Sequence, residues 1–347
     1  MSSSQLTQWL EKGSSSQLIQ LLEKALGFLS FQAIYATVKL GLIEQLSSEA
    51  KTCQELATEL AIDEKILLHL IRWLTENGFL ELQEDGKYKP TPLSSQLQFN
   101  TPDSLCGIIL SFVELIFPAY NQLMYSLKTG KPGFEGAFQV GIYEYLSKNP
   151  EAGLNFNMWM EESTREIIIP VLNLYDFSNI EKMVDVGGNT GKVTAAILKN
   201  NPNLQAILFD LEYPIQGAKN VLESANVSER CQTIVGDFFK SVPSGGDLYL
   251  LSRVLFNWDD AHAIEILKNV RAAMGETSKL LIFDLLLPSH GKAELELMAS
   301  LNLFVLFGNL LRTEEEYYEL LTKAGFQSPK LIKIARSQFN FIEAIPA

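Results

Sequence analysis

MVDVGGNTG, at Met183–Gly191, runs directly into KVTAAILKN, at Lys192–Asn200. The pattern is a buried strand that runs into a glycine turn, with a helix beginning where the turn ends. Glycines at such a turn let a ligand approach the backbone, and a helix N-terminus favours anionic or polar groups. The same glycines would also suit a tightly packed turn, so the stretch predicts an α/β unit first and a ligand site second.

Three more apolar runs extend this pattern along the chain. They are AILFDL at 206–211, LYLLSRVL at 248–255 and KLLIFDLLL at 279–287, and helical segments separate them. Short apolar strands that alternate with helices are typical of a parallel sheet covered on both faces. We therefore predict a Rossmann-like α/β domain over residues 179–347.

Acidic residues stand at three of the predicted strand ends, the third of which belongs to a further short run, IVGDFF at 234–239. Asp185 precedes the glycines, Asp210 follows Gly191 by 19 residues, and Asp237 comes just before Phe238. In doubly wound sheets the carboxyl ends of the strands hold the ligand, and the acid on the second strand binds a ribose. An acid beside the turn would repel a pyrophosphate but suits a cation, while Asp237 and Phe238 can bind an adenine amino group and cover its ring. Adenine, ribose and a cationic tail together predict S-adenosylmethionine.

The first hundred residues indicate a smaller helical domain. Two helical segments meet at Asp63, and a hairpin around Asp85-Gly86 follows them, which gives the outline of a winged helix. The second of these helices offers only three basic side chains, with acids nearby, so its charge disfavours DNA binding. A dimerisation role or a lid over a substrate is the favoured interpretation.

We divide the chain into four parts. Residues 1–25 hold a twelve-residue duplication, SSSQLTQWLEKG and SSSQLIQLLEKA, that extends an N-terminal helix. Residues 26–100 form the winged-helix dimerisation domain, and 101–178 a helical linker with part of the acceptor pocket. Residues 179–347 form the domain that binds S-adenosylmethionine.

Composition excludes several classes of protein. The chain has 41 acidic and 28 basic residues, a net charge of −13, so nucleic acid is an unfavourable partner. No apolar run approaches the roughly 20 residues of a membrane helix, and the N-terminus lacks the pattern of a signal peptide. Cys53, Cys106 and Cys231 are far apart without a CxxC pair, which predicts neither disulfides nor a metal site but buried thiols in a cytoplasmic protein.

The motifs VDVGGNTG, LFDLEYP, GDFF, LSRVLFNWDD and LRTEEEYYELLTKAGF together resemble the small-molecule O-methyltransferases of the plant caffeate and bacterial hydroxyneurosporene type. The resemblance covers nearly the whole chain and implies a homodimer of interlocked N-terminal helices with a methyltransferase domain. Together with the glycine turn it predicts these contacts to the cofactor: Asp185, Gly187, Gly188, Asn189, Gly191, Asp210, Asp237, Phe238 and Ser252. The predicted pocket for a small-molecule acceptor is lined by Phe156, Met160, Phe256, Asn257 and Leu311.

The chain departs from the family pattern at the proton-handling residues. Phe256 stands where the resemblance places a histidine base, and Asp284 and Leu311 stand at the two glutamates that orient it. Asn189 replaces the third glycine of the turn, and asparagine is the non-glycine residue that best tolerates a left-handed backbone. Three altered positions in one small site suggest different chemistry.

Other residues could supply a base. The helical pattern directs His262 to solvent, His290 lies in a turn, and His69 is expected to be a partly buried packing residue. Asp284 is the best candidate, because an acid among apolar neighbours would have a raised pKa and could act as a weak base. The alternative is a strand-end acid that backbone donors satisfy.

The favoured function is S-adenosylmethionine-dependent O- or C-methylation of a small aromatic or apolar acceptor, driven by proximity without a histidine base. The rival is a cofactor-binding homologue that does not methylate but serves cyclisation, decarboxylation, hydroxylation or a scaffold. A DNA-binding regulator is a third, less favoured hypothesis.

Overall fold

The computed structural model describes residues 14–99, 101–288, 293–335 and 337–347. Contacts divide the chain into two compact units. The helical unit contains the described residues up to Phe117 together with Leu146–Glu162, and the sheet unit contains Pro118–Tyr145 with Ser163–Ala347. The segment 101–178 contributes to both units, and our four-part division stays a prediction. The first copy of the duplication, at residues 2–13, lies outside the described residues.

The N-terminal elements follow the sequence pattern closely. They are α1 (Ser14–Lys39), α2 (Leu42–Ser47), α3 (Cys53–Leu60), α4 (Glu64–Glu76), β1 (Leu80–Leu82), β2 (Tyr88–Pro90) and a 3₁₀ turn at Pro92–Leu97. The break after α1 falls at Gly41, whose φ of 61° is left-handed. Asp63 caps the N-terminus of α4, where its side chain accepts a hydrogen bond of 3.0 Å from the Ile66 backbone N–H. The expected helix pair and Asp-Gly hairpin are therefore confirmed.

The chain between residues 106 and 172 is helical, as expected. Its elements are α5 (Cys106–Ser111), a π-helical turn (Phe112–Ile116), α6 (Phe117–Tyr120), α7 (Leu123–Thr129), α8 (Gly133–Phe138), α9 (Ile142–Lys148), α10 (Pro150–Ser163), a second π-helical turn (Thr164–Ile168) and α11 (Ile169–Leu172). Within the described ranges no single helix has the length and apolarity to cross a membrane, and one bent pair, α5–α6 with α7, passes by length and composition only.

The sheet unit is built on seven strands in the order β5-β4-β3-β6-β7-β9-β8. Its elements are β3 (Lys182–Val186), α12 (Lys192–Asn200), β4 (Gln205–Asp210), α13 (Glu212–Ser224), a 3₁₀ turn (Ser228–Arg230), β5 (Cys231–Val235), β6 (Leu248–Ser252), a 3₁₀ turn (Leu255–Asn257), α14 (Asp260–Ala273), β7 (Lys279–Leu285), α15 (Glu294–Phe307), α16 (Glu314–Lys323), β8 (Phe326–Ile332) and β9 (Phe339–Pro346). The Rossmann-like fold is confirmed.

The sheet is mixed rather than wholly parallel, which corrects the sequence interpretation. Strands β3 to β7 pair in parallel, whereas β9 is antiparallel to both β7 and β8. The connection from Ile332 to Phe339 is too short to hold a crossover helix, and a short connection can join only antiparallel neighbours.

Both faces of the sheet are buried. Adjacent residues of β3 point to opposite sides, so Val184 joins one core cluster and Met183 the other. The three cysteines are free buried thiols, as expected. Because β3 pairs with β4 on one side and β6 on the other, the order in which successive strands join the sheet reverses at β3, which is where such sheets bind ligands.

Candidate functional site

A cavity of about 690 Å³ opens at the carboxyl edge of β3, β4 and β6. This volume is typical of sites for small molecules. Its walls are Pro132, Glu135, Gly141, Ile142, Tyr143, Glu144, Gly187, Asn189, Asp210, Pro214, Phe238, Arg253, Val254, Asn257, Trp258, Leu306, Phe307 and Asn309. Five residues predicted for the site, Gly187, Asn189, Asp210, Phe238 and Asn257, are brought together here.

The glycine turn forms one wall of the cavity. Gly187 has a φ of 76°, and a Cβ atom there would lie only 3.1 Å from Cγ2 of Val254. Asn189 has a φ of 54°, so the expected left-handed asparagine is confirmed. Its Oδ1 accepts a hydrogen bond of 2.7 Å from the Thr190 N–H, which holds the side chain against its own backbone. The turn therefore leaves Gly187 as a wall without a side chain.

Asp210 presents a carboxylate of fixed orientation to this wall. Its Oδ2 accepts a hydrogen bond of 2.8 Å from the Asn189 N–H, and its Oδ1 accepts one of 2.7 Å from the Leu211 N–H. A carboxylate has about four acceptor positions, so roughly two of them stay available to a ligand.

Three predicted contacts lie behind the turn instead of in the cavity wall. The Asp185 side chain is fully buried, and its Oδ2 accepts a hydrogen bond from Thr194 Oγ1. Burial raises the pKa of Asp185 to about 6, opposed by the Thr194 hydrogen bond. A Cβ atom on Gly188 would lie 2.5 Å from Asp185 Oδ2, and one on Gly191 would lie 2.7 Å from Leu208, so these glycines serve close packing. Asp185 supports the turn from beneath.

Two further predicted contacts also stand outside the walls. The Oδ1 atom of Asp237 accepts a hydrogen bond of 3.0 Å from the Phe239 N–H, and its Oδ2 lies 3.5 Å from Lys240 Nζ. This carboxylate therefore stabilises its own turn beside Phe238, which does line the cavity. The Ser252 Oγ atom is buried and has no hydrogen-bond partner among the described residues.

The residues predicted for the acceptor pocket are separated. Asn257 lines the cavity and donates a hydrogen bond of 3.0 Å to the Arg253 carbonyl. Phe256 is half-buried and is not one of the walls, and Leu311 is only 3% exposed. The Leu311 N–H donates to Ser300 Oγ at 3.1 Å, so contacts with α15 hold it away from this cavity.

Phe156 and Met160 belong to the helical unit. Phe156 is buried and packs edge-to-face on Trp159, with 5.5 Å between the ring centroids. Met160 is half-buried on the same helix. Their role in an acceptor pocket stays a prediction.

Asp284 is a buried acid under the 3₁₀ turn that carries Phe256. Its Oδ2 accepts a hydrogen bond of 2.9 Å from the Tyr317 hydroxyl. Burial raises its pKa to about 7, while the Tyr317 hydrogen bond and the Arg312 charge oppose the rise. The expected raised pKa is confirmed, but Asp284 is fully buried and does not line the cavity. Of our two interpretations, neither is tested: the donor to Asp284 Oδ2 is the Tyr317 hydroxyl instead of a backbone N–H, and Oδ1 is buried with no hydrogen-bond partner among the described residues.

Neither described histidine lines the cavity. His262 is exposed, as expected, and its Nδ1 lies 2.8 Å from Asp259 Oδ1. His69 is also exposed, and the expectation of partial burial is wrong because α4 buries its other face, including Leu67 and Ile71. His290 lies outside the described residues. Within the described ranges no group of three or more His, Cys, Asp and Glu side chains could hold a metal ion.

Sequence reasoning missed two arginines. Arg253 is a wall of the cavity, and its backbone has a left-handed φ of 59°. Arg312 donates to the Leu255 carbonyl at 2.9 Å and to the Trp258 carbonyl at 2.6 Å, which fixes the loop that carries Asn257. The sequence signal that could have indicated them was their position inside motifs of the family resemblance, Arg253 in LSRVLFNWDD and Arg312 in LRTEEEYYELLTKAGF.

Comparison with known proteins gives consistent matches. Residues 120–327 match an O-methyltransferase domain, and residues 22–98 match an O-methyltransferase dimerisation domain. The chain is 34% identical over 326 residues to phenazine O-methyltransferase PhzM of Lysobacter antibioticus, covering 94% of this chain and 95% of the relative. It is 31% identical to 3-amino-4-hydroxybenzoate 4-O-methyltransferase of Streptomyces cremeus, covering 89% and 85%. The crystal structure of the N,N-8-amino-8-demethyl-D-riboflavin dimethyltransferase RosA from Streptomyces davawensis superposes with a TM-score of 0.87 at 28% identity, over 97% of this chain and all of that one.

Proposed function

The chain belongs to the O-methyltransferase family, whose members use S-adenosylmethionine, and from that premise we propose that it methylates a small aromatic acceptor without a histidine base. The observation that carries the proposal is the cavity at the carboxyl edge of the sheet, beside β3, where the strand order reverses. Gly187, Asp210 and Phe238 meet there, and Trp258 and Phe307 supply aromatic walls.

We assign S-adenosylmethionine to the part of this cavity next to the glycine turn. Asp210 keeps acceptor positions for the two ribose hydroxyls, since backbone N–H groups use only two. Phe238 offers a ring to cover the adenine, and the Asp237 carboxylate beside it, which accepts one backbone hydrogen bond, keeps acceptor positions for the adenine amino group. Gly187 lets the cofactor approach the backbone closely because it has no side chain. A Cβ atom at this position would also collide with Val254. These residue types fit the cofactor.

The chain contributes orientation rather than proton removal. When bound, S-adenosylmethionine supplies an electrophilic methyl group on a sulfonium. Phe256 has no atom that accepts a proton, and Asp284 is buried with its Oδ2 already bonded to Tyr317. Asp284, Tyr317 and Arg312 therefore act as positioning residues for the loop around Asn257. Holding two reactants in line can supply much of the rate by itself.

An acceptor that needs no strong base follows from this arrangement. Ionised phenols, amines and activated carbons all qualify. The relatives are consistent with such a range, since their names include a phenazine, an aminohydroxybenzoate and an aminoriboflavin. Trp258, Leu306 and Phe307 would pack against an aromatic acceptor, while the amides of Asn257 and Asn309 offer hydrogen bonds.

We also propose that the protein is a homodimer. Residues 22–98 match a dimerisation domain, and α1 leaves large apolar side chains uncovered near its middle. Leu26, Phe28 and Leu29 are 52%, 50% and 59% exposed. Exposed apolar groups in a contiguous helix favour burial against a second copy. The cytoplasmic location expected from the unpaired cysteines stays a prediction.

A turnover experiment tests methyl transfer against its rival. The absent base favours the rival function, in which the cofactor is bound but not consumed. Incubation of the full chain with S-adenosylmethionine and a panel of phenols and aromatic amines should yield S-adenosylhomocysteine and a product heavier by one methyl group. A product formed while S-adenosylmethionine stays intact would support the rival and exclude the proposal.

A further inference from the structure

Asp284 is a fully buried acid that forms no ion pair with a cation in the described part of the chain. Its Oδ2 accepts a hydrogen bond of 2.9 Å from the Tyr317 hydroxyl, and its Oδ1 is buried with no hydrogen-bond partner among the described residues. A carboxylate that is removed from water and left without a counter-charge is unfavourable, so burial stabilises the protonated acid. Asp284 therefore keeps its proton at pH values where an exposed aspartate has lost it.

The charges near Asp284 do not offset its burial. The ionisable side chains that act most strongly on it are Tyr317 on α16, Arg312 just before α16 and Arg253 just after β6. The neighbouring strand β9 presents the neutral Asn340 opposite Asp284. Arg312 pairs with Asp260 at 2.9 Å instead of with Asp284. Burial outweighs the attraction of both arginines and raises the pKa of Asp284 to about 7.

The turn that covers Asp284 carries part of the cavity wall. The Phe256 N–H faces the Asp284 carboxyl group from the 3₁₀ turn at 255–257. Asn257 and Trp258, the next two residues, line the cavity. A movement of this turn that lets water reach Asp284 therefore also displaces these two walls.

Arg312 connects the turn to the buried acid. It donates to the Leu255 carbonyl at 2.9 Å and to the Trp258 carbonyl at 2.6 Å. Its guanidinium carbon lies 5.9 Å from the centre of the Tyr317 ring, and the Tyr317 hydroxyl donates to Asp284. A contiguous set of contacts of this kind couples the protonation of the acid to the position of the turn.

We propose that Asp284, Tyr317 and Arg312 form a pH-sensitive latch, in which the proton on Asp284 keeps the turn closed and its loss to water opens the turn. The open turn hydrates the carboxylate, which then has the ordinary acidity of an aspartate. Closure is therefore complete below about pH 7 and weakens as the pH rises above it. The inference rests on the proposed function, because that function assigns the walls Asn257 and Trp258 to the acceptor site.

Amide hydrogen exchange on the full chain, without any ligand, measures the opening of the turn. The Asn257 and Trp258 N–H groups donate to the Val254 and Leu255 carbonyls, both at 3.2 Å, so they exchange when the turn opens. Protection factors cancel the base catalysis of exchange itself. With a pKa of about 7 in the closed state, linkage gives a fall in protection of about tenfold between pH 6 and pH 8.

Two variants of the latch have different signatures. Asp284→Asn has no ionisable group at this position, so the protection of Asn257 and Trp258 should stay constant over this pH range. Tyr317→Phe keeps the ring beside Arg312 but removes a donor that favours the ionised acid, so the fall should begin about one pH unit higher. A merely structural role of Tyr317 would lower the protection equally at every pH. If Asp284→Asn does not fold, the wild type and Tyr317→Phe still decide the question.

His262→Gln and Asp185→Asn are the matched controls, because each removes an ionisable group outside the latch. His262 packs on Trp258 with 5.8 Å between the ring centroids, and burial raises the pKa of Asp185 to about 6. Both variants should keep the fall in protection. The proposal would be overturned by a wild type whose protection does not change between pH 6 and pH 8. A fall that persists in Asp284→Asn, or one that either control abolishes, would overturn it as well.

Failure of the proposed function has a different signature from failure of the latch. A wild type that binds no S-adenosylhomocysteine in calorimetry at pH 6, yet shows the fall in protection, would refute the function and keep the latch. A wild type that binds S-adenosylhomocysteine and shows no fall would refute the latch alone.

Discussion

Asp210 gives the sharpest test of how the cavity holds its cofactor. Its two carboxylate oxygens accept one backbone hydrogen bond each, of 2.8 and 2.7 Å, which leaves about two acceptor positions for a ribose diol. A hydrogen bond to a charged group contributes roughly 1.5–3 kcal/mol. Because water competes for the half-exposed Asp210, we use the lower end of this range for each of the two bonds to the ribose. Asp210→Ala should therefore weaken binding by about 2–3 kcal/mol, a factor of about 30 to 150 in Kd. Asp210→Asn keeps one carbonyl oxygen and should lose about tenfold.

Isothermal titration calorimetry with three ligands separates this role from a general loss of structure. S-adenosylhomocysteine and 5′-methylthioadenosine both contain the ribose and should lose the same factor, whereas adenine should be unaffected. Asp176→Ala is the matched control, because Asp176 is an exposed acid that also accepts from a backbone N–H, that of Ser178 at 2.9 Å. Unchanged affinity of Asp210→Ala for S-adenosylhomocysteine, or an equal loss for adenine, would refute the reasoning.

Three other outcomes are expected. Phe256→His should add activity toward neutral phenols, but by less than the roughly 10²–10⁴-fold of a well-placed base, since Leu311 cannot orient an imidazole. Initial rates measure this gain, with Phe256→Leu as the control variant. No gain would mean that a base at this position does not reach the acceptor. The raised pKa of Asp284 makes its contribution to stability largest at low pH and lost as pH rises toward about 7, so Asp284→Asn should gain stability relative to wild type between pH 5 and 8, by about 2.5 kcal/mol. Denaturant unfolding with a difference that does not vary with pH would contradict this. Light scattering at micromolar concentration should give about twice the chain mass of 38.8 kDa, and a monomer would overturn the dimer.

Local features of the chain were predictable because their causes are local. A strand, a glycine turn and a helix follow from apolar periodicity and from backbone conformations that glycine and asparagine tolerate, and Gly187 and Asn189 have these conformations. The same reasoning located α4 and the Asp-Gly hairpin. Asp210 was also within reach, because its position at a strand end follows from strand length and from the rule that such sheets bind ligands at their carboxyl edge.

Contacts between distant segments decided which side chains are buried and which line the cavity. The amino-acid sequence was enough to predict the class of fold, the family and the edge of the sheet that holds the cavity, since these depend on periodic patterns and short motifs. It did not determine that Asp185 is buried behind the turn, that Leu311 packs against Ser300, or that Arg253 lines the cavity. Burial and the pKa of an acid depend on neighbours such as Tyr317, which lies 33 residues from Asp284 in the chain. Only the folded chain brings these groups together, because the free energy of a charge depends on what surrounds it and not on what adjoins it in sequence.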